Sequence, residues 1–412
     1  MQPSGLRLRL VVPGNVGHNS GGNVYNAALA RELSGLGVEV EICRVDGDWP
    51  GGSPESRRLL GCLLHGSGPG TAGASAGGPG DEELVTLVDG LLACAAPDEL
   101  AAAAAAGRPA WVLLHMPLED AELERRALQA AAGVVCTSSS AAAGIQARHG
   151  LDSVSIALPG TEPSPLAHGS EPPHLLVVAA LLPNKAQSLL LAALSLLTEL
   201  PWTASLVGSD SADPAYAWQL RVTAARLGLQ ERVRIPGELR GQALEAEWAA
   251  ADLSLLISAA ETYGLVVPES IARGIPVVVR AGTGAVESLQ AGVPRGERPA
   301  APDGAAAASA LPGAAVALGT DPAPLAEILR AWLTEPEIRA RWRSAALAAR
   351  DRLPGWDFTA RALLDALKAA PPVEAEVTGR MPHPRTGRAP KPELPPELSA
   401  GDDSPAGQAG GQ

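Results

Sequence analysis

Between Asp252 and Val279 the chain reads DLSLLISAAETYGLVVPESIARGIPVVV, and within it Glu261 and Glu269 are separated by seven residues. A carboxylate accepts two or more hydrogen bonds, so a pair of them at one edge of a sheet suits a ligand carrying several hydroxyl groups. The apolar runs at 252–257 and 276–279 are of strand length. They place Glu261 where a buried parallel strand empties into a loop, and Glu269 in the first turn of the next helix. Ligands of open parallel sheets bind in the crevice outside those carboxyl ends. Tyr263, Gly264 and Leu265 offer backbone N–H groups between the two glutamates, and Gly264 lets an anion such as a phosphate approach closely. The alternative reading is a solvated Glu261 and a Glu269 that only favours the helix dipole.

Three further positions have the chemistry for such a site. Gly21 and Gly22 end the segment PGNVGHNSGG, a strand-to-helix turn before a helix expected to start near Asn23, where amides and the helix dipole can face an anion. Tight turns also take glycine for conformational reasons alone. His115 follows WVLL directly and precedes Met116-Pro117, so it stands at another strand's carboxyl end, able to donate or accept near neutral pH. Lys185 is notable for its type: of the 32 basic residues only Lys185, Lys368 and Lys391 are lysines. It follows the strand-like run LLVVA in a turn, from which a compact ammonium can reach a phosphate. Asp46-Gly47-Asp48 has a spacing that can hold a divalent cation, but Asp-Gly is also ordinary turn chemistry, and no metal is expected.

The elements that would position these residues alternate, apolar strand-like runs with helical patterns, as βαβ units of a parallel sheet do. The first set is Leu8–Val12, Val38–Cys43, Leu84–Val88, Trp111–Leu114, Val134–Cys136 and Val154–Leu158; the second is Leu175–Ala180, Ala204–Val207, Val233–Ile235, Leu253–Ile257 and Val277–Val279. The proline-rich stretch from Pro159 to Pro173 separates the sets and reads as a linker. Two α/β halves joined this way predict a cleft between them that holds the ligand. Gly66–Gly80 and Val293–Gly313 read as irregular loops, and the proline-, glycine- and charge-rich stretch 370–412 as a disordered tail.

Composition narrows the function classes. The 45 acidic against 32 basic residues give a net charge of −13, which disfavours nucleic acid and anionic lipid. No apolar run reaches membrane-spanning length and no signal-peptide layout is present, so a cytoplasmic protein is expected. Cys43, Cys62, Cys94 and Cys136 are far apart and read as thiols of a reducing compartment.

Taken together, these residues resemble a GT-B-fold glycosyltransferase of family 4, a retaining, sugar-nucleotide-dependent group. The resemblance spans about 6–367 and is most specific at 252–279, where a strand, small residues, Glu, an aromatic, Gly, an apolar run, Glu and Gly-x-Pro-Val follow in order. It implies an α/β fold of two Rossmann-like parallel-sheet domains facing a central cleft. Residues 1–165 would form the acceptor side and 170–352 the donor-binding side, with a helix at 356–369 packing back on the first. It implies that Glu261 holds hydroxyls of the donor sugar, that Tyr263, Gly264 and Leu265 cradle the diphosphate, and that Glu269 binds the ribose. Gly21 and Gly22 would approach the donor phosphate, His115 would stand near the reacting carbon, and Lys185 would meet the diphosphate. No cofactor is implied beyond the nucleoside-diphosphate sugar itself; the acceptor is a glycan, a lipid-linked sugar or a small molecule. The chain departs from the family where Gly-Arg is usual, with Ala179-Ala180, and after the lysine, where Ala186 replaces glycine. A nucleotide-sugar epimerase of the same fold, a phosphorylase and a catalytically weak sugar-nucleotide-binding partner remain as alternatives.

Overall fold

The structure is a computed structural model and describes residues 6–14, 20–66, 83–298 and 311–369. The tail at 370–412 and most of the two loops at 66–80 and 293–313 lie outside those residues.

The first half runs β1 (Leu6–Pro13), α1 (Gly21–Gly35), β2 (Glu39–Val45), α2 (Pro54–Leu64), β3 (Glu83–Asp89), α3 (Gly90–Ala95) and α4 (Pro97–Ala105). It continues with β4 (Trp111–Leu114), α5 (Ala121–Ala130), β5 (Gly133–Cys136), α6 (Ser139–His149) and β6 (Ser155–Ile156). Its six strands lie in the order β2-β1-β3-β4-β5-β6, and every pair is parallel. Strand β1 packs alternate residues into opposite cores: Leu8 and Leu10 join Leu29, Leu33 and Leu113 on one face, and Val11 joins Leu60, Leu92 and Val112 on the other. Burial on both faces explains why the strands read as continuous apolar runs.

The second half runs β7 (His174–Val178), α7 (Gln187–Ser195), β8 (Thr203–Val207), α8 (Pro214–Arg226), β9 (Val233–Gly237), α9 (Gly241–Ala250) and β10 (Leu253–Leu256). Then follow α10 (Val266–Ala272), β11 (Val277–Arg280), α11 (Ala285–Leu289), β12 (Gly313–Val316), α12 (Ala323–Thr334) and α13 (Pro336–Arg350). The strand order is β12-β11-β10-β7-β8-β9, again all parallel. Leu175 and Val177 enter one core and Leu176 another, repeating the two-faced burial of β1. β12 is an additional strand, beyond the apolar runs of the second set, which end at Val279. Its residues Gly-Ala-Ala-Val carry little β-branched bulk and adjoin an alanine-rich loop, so nothing in their periodicity separates them from it.

The final helix, α14 (Trp356–Ala369), returns to the first half. Trp356, Leu363 and Leu364 join the core of β1 and α1, and burying the two leucines alone contributes roughly 3–6 kcal/mol. Tyr25 of α1 meets Trp356 edge to face at 5.4 Å, and the Thr359 hydroxyl donates to the Leu158 carbonyl at 2.7 Å.

In each sheet the chain turns outward in both directions from one central strand. The switch lies between β1 and β3 in the first half and between β7 and β10 in the second. Such a switch opens a crevice at the carboxyl edge, because the two flanking connections leave on opposite faces.

Candidate functional site

The residues with ligand chemistry gather at these two switches. Lys185 lies in the turn after β7 and Glu261 in the loop after β10, the strands on either side of the second switch. Their side chains form an ion pair, Lys185 Nζ to Glu261 Oε2 at 2.9 Å, with both groups partly exposed. The backbone reinforces it, since the Ala259 amide donates to the Asn184 carbonyl at 2.7 Å. Gln187 is almost fully buried and donates through Nε2 to the Ala180 carbonyl at 2.9 Å, closing the turn that carries Lys185. Ala186 takes a left-handed φ of 59°, the only non-glycine to do so among the described residues. A side chain costs about 1–2 kcal/mol there, which gives the alanine-for-glycine departure a physical consequence. No arginine among the described residues bonds to Lys185 or Glu261, so the position of Ala180 has no guanidinium substitute in direct contact with the pair.

The loop from Glu261 into α10 exposes donors. Among the described residues the Tyr263, Gly264 and Leu265 amides donate to no protein acceptor. Gly264 has a φ of 81°, and a Cβ on it would lie 2.4 Å from Leu256 Cδ2. The Tyr263 side chain points into the protein, 4% exposed, with its hydroxyl pKa raised by burial, so only its backbone can serve a ligand. The loop after β11 braces the same segment: the Gly284 amide donates to the Glu261 carbonyl at 2.7 Å, and a Cβ on Gly284 would collide with the Thr262 carbonyl. Glu269 lies in the first turn of α10. Burial raises its carboxyl pKa to about 7, with Glu245 pushing the same way and Arg273 opposing.

The first half presents Gly21, Gly22 and His115. The helix α1 starts at Gly21 and not near Asn23, because the Ser20 side chain caps it by accepting from the Asn23 amide at 3.3 Å. Both glycines thus lie in the first turn, and their amides have no protein acceptor among the described residues. A Cβ on Gly22 would stand 3.2 Å from His115 Cδ2, so the absent side chain is what lets the histidine lie against the helix. On Gly21 it would stand 3.5 Å from Leu265 Cδ1, so the two halves meet at this point.

Two residues that the sequence reading did not single out complete the histidine's setting. Asp89, at the end of β3, is 2% exposed and stands 3.3 Å from His115 Nε2. Asn26, one turn beyond Gly22, bonds His115 Nε2 through Oδ1 at 3.0 Å and Asp89 Oδ2 through Nδ2 at 2.7 Å. Burial pushes the Asp89 pKa up, but the adjacent His115, the Leu91 amide and Asn26 outweigh it and hold the carboxyl below its usual range. The position of Asp89 at a strand's carboxyl end, followed by glycine, was the available signal.

Asp46 and Asp48 fall in the turn after β2, and no cluster of three His, Cys, Asp or Glu side chains suited to a metal occurs among the described residues. No helix among them is long and apolar enough to cross a membrane. A depression of about 500 Å³ along α8, lined by Trp218 and Val222 among others, shares no residue with this site.

Comparison with known proteins agrees with this architecture. Residues 161–348 match the family described as glycosyl transferases group 1. A D-inositol 3-phosphate glycosyltransferase of Thermomonospora curvata is 34% identical over 218 residues, covering 50% of this chain and 46% of that one. A protein of the same name from Xylanimonas cellulosilytica is 29% identical, covering 43% of this chain and 36% of that one. The matches thus span less than half the length of these relatives. Among solved structures, HepE of Anabaena in complex with UDP and glucose superposes with a TM-score of 0.63 at 18% identity, covering 88% of this chain and 99% of that one. Sucrose-phosphate synthase of Thermosynechococcus elongatus gives a TM-score of 0.64 at 19% identity, covering 88% and 98%. The fold is accordingly GT-B, with two Rossmann-like parallel-sheet domains.

Proposed function

We propose that the protein is a glycosyltransferase that moves a hexosyl group from a nucleoside-diphosphate sugar to an acceptor hydroxyl, with retention of configuration and without a bound metal. The observation that carries the proposal is the Lys185–Glu261 pair at the second switch, beside the amides at 263–265 and opposite those of Gly21 and Gly22, none of which has a protein acceptor among the described residues. That two of the similar structures hold UDP, one together with glucose, makes UDP-glucose the first donor to try.

The chemistry follows from where charge grows. Breaking the glycosyl–phosphate bond builds negative charge on the departing diphosphate and positive charge on the sugar ring, so fixed donors aimed at the phosphates lower the barrier. Lys185 and the two sets of backbone amides are such donors. Donor binding would exchange the Lys185–Glu261 contact for two others, the ammonium turning to the diphosphate and the carboxylate to sugar hydroxyls. With retention, the acceptor hydroxyl attacks from the face the diphosphate leaves, and a phosphate oxygen takes its proton. No protein nucleophile is required, and His115 positions and stabilises the sugar. The acceptor would be a glycan, a lipid-linked sugar or a small molecule.

The departures at Ala180 and Ala186 support a second reading, a binder of sugar nucleotides with weak turnover, because a missing charged donor costs about 1.5–3 kcal/mol. A thermal-shift screen against UDP, GDP, ADP and their glucose and mannose conjugates, followed by turnover assays, separates the two. The midpoint is expected to rise with ligand excess for one nucleotide family. Glu261→Gln and Lys185→Ala are each expected to fold and to lower turnover on the order of 10²-fold. Binding without hydrolysis or transfer across an acceptor panel favours the weak binder, and no shift with any nucleotide removes both readings.

A further inference from the structure

The polar network beneath His115 determines which ring nitrogen carries the proton. An ionised carboxylate can only accept hydrogen bonds, so the atom of Asn26 that lies 2.7 Å from Asp89 Oδ2 must be its amide nitrogen. The carbonyl oxygen of the same amide then faces His115 Nε2 at 3.0 Å, and it too can only accept. Asp89 Oδ2, 3.3 Å from the same nitrogen, is a second acceptor. For the neutral ring, two acceptors converging on Nε2 leave one arrangement in which no bond is lost: the proton is on Nε2. The other oxygen of Asp89 is occupied, accepting from the Leu91 amide at 2.9 Å, so the carboxylate cannot rotate freely. Tyr25 lies edge to face with the ring at 5.1 Å, and Gly22 leaves room for it against α1. Nδ1, the remaining polar atom, has no protein partner among the described residues.

We propose that Asp89, both directly and through Asn26, is a positioning residue that locks His115 as its Nε2–H tautomer, so that Nδ1 is presented as an acceptor for a substrate hydroxyl. This rests on the reading of His115 as a substrate-facing residue of the proposed transferase. The network also gives the buried carboxylate a place in the reaction. Its negative charge, passed to the ring through two short polar contacts, favours positive charge growing on a sugar held at Nδ1. No proton leaves the imidazole in this scheme, and Asp89 stays ionised throughout.

The test is a substitution with an inverted expectation. In Asp89→Asn, the new side chain keeps an oxygen for the Leu91 amide and turns an NH2 group toward Asn26. The Asn26 amide must then rotate to offer its oxygen, which sets its own NH2 against His115 Nε2 and moves the ring proton to Nδ1. Nitrogen-15 NMR of the full chain at about pH 8, where histidine is ordinarily neutral, distinguishes the two tautomers, with His115→Gln identifying the signal among the seven histidines. Wild type is expected as Nε2–H and Asp89→Asn as Nδ1–H. Turnover of the sugar nucleotide that the screen selects is expected to fall on the order of 10²-fold in Asp89→Asn, with KM for the donor changed less than about threefold. Asn26→Ala, in which Asp89 remains as the acceptor, is expected to keep Nε2–H and covers the case in which Asp89→Asn does not fold. A wild-type Nδ1–H ring, an unchanged tautomer in Asp89→Asn, loss of Nε2–H in Asn26→Ala, or an inverted tautomer with undiminished turnover each overturns the proposal. Inertness of the wild type toward every sugar nucleotide would instead count against the transferase reading, and the NMR result would still decide the tautomer.

Discussion

At the scale of single residues, Glu269 couples the site to pH. Its folded pKa, raised to about 7 by burial and by Glu245, lies above the ordinary 4.5 of a glutamate. The folded protein therefore holds this proton more tightly than the unfolded chain does. The stability it contributes is complete below about pH 4.5 and is lost as pH rises through about 7. Glu269→Gln removes the titration, so its thermal midpoint is expected to gain on that of the wild type between about pH 4.5 and pH 7 and to hold a constant difference above that. If Glu269 binds the ribose, hydroxyls donating to its carboxylate favour the charged form, and nucleotide binding near neutral pH releases a proton. Calorimetry in two buffers of different ionisation enthalpy measures that release. A constant difference in midpoint between about pH 4.5 and pH 7, or binding without proton release, contradicts this account.

At the scale of elements, the loop from Glu261 to Leu265 is shaped by what its glycine excludes. A methyl group at Gly264 meets a left-handed φ of 81° and a contact of 2.4 Å with Leu256, and it presses Glu261 Cγ at 3.3 Å. The conformational cost is about 1–2 kcal/mol and overpacking adds a similar amount. Gly264→Ala is therefore expected to lower stability by roughly 2–4 kcal/mol in denaturant titration, and to weaken nucleotide binding by moving Glu261. An unchanged unfolding midpoint would show that the loop relaxes freely. The same loop marks what was legible in the sequence. Strands buried on both faces betray themselves as apolar runs, and Glu261, Glu269, Gly264 and His115 followed from their place at the ends of such runs. Lys185 was visible through the chain's preference for arginine. β12 was not legible, because Gly-Ala-Ala-Val has no periodicity of its own. Neither was Asn26, since an amide one turn into a helix acquires meaning only when β3 and β4 bring Asp89 and His115 beside it.

At the scale of the whole molecule, the two halves are joined by contacts that no local pattern foretells. Glu287, in the first turn of α11, reaches the amino-terminal end of α6, where its Oε2 accepts from the Ser139 amide at 2.9 Å. A carboxylate at that position also meets the positive end of the α6 dipole. A longer contact, Ser140 Oγ to the Thr262 carbonyl at 3.4 Å, connects the same helix with the loop that carries Glu261. The arrangement of the halves is thereby linked to the loop that carries Glu261. Because the bond is exposed, its strength is on the order of 1 kcal/mol, too little to affect either core but enough to shift a balance between two arrangements of the halves about fivefold. Glu287→Ala is expected to increase the radius of gyration of the ligand-free protein in small-angle X-ray scattering while leaving its unfolding midpoint within about one degree. If the donor is held by both halves, its dissociation constant should rise by up to the same fivefold factor, since a less populated arrangement must be recovered on binding. Saturating nucleotide should then bring the scattering curves of variant and wild type together, whereas a variant that stays expanded when saturated would mean that Glu287 builds the interface and does not merely bias it.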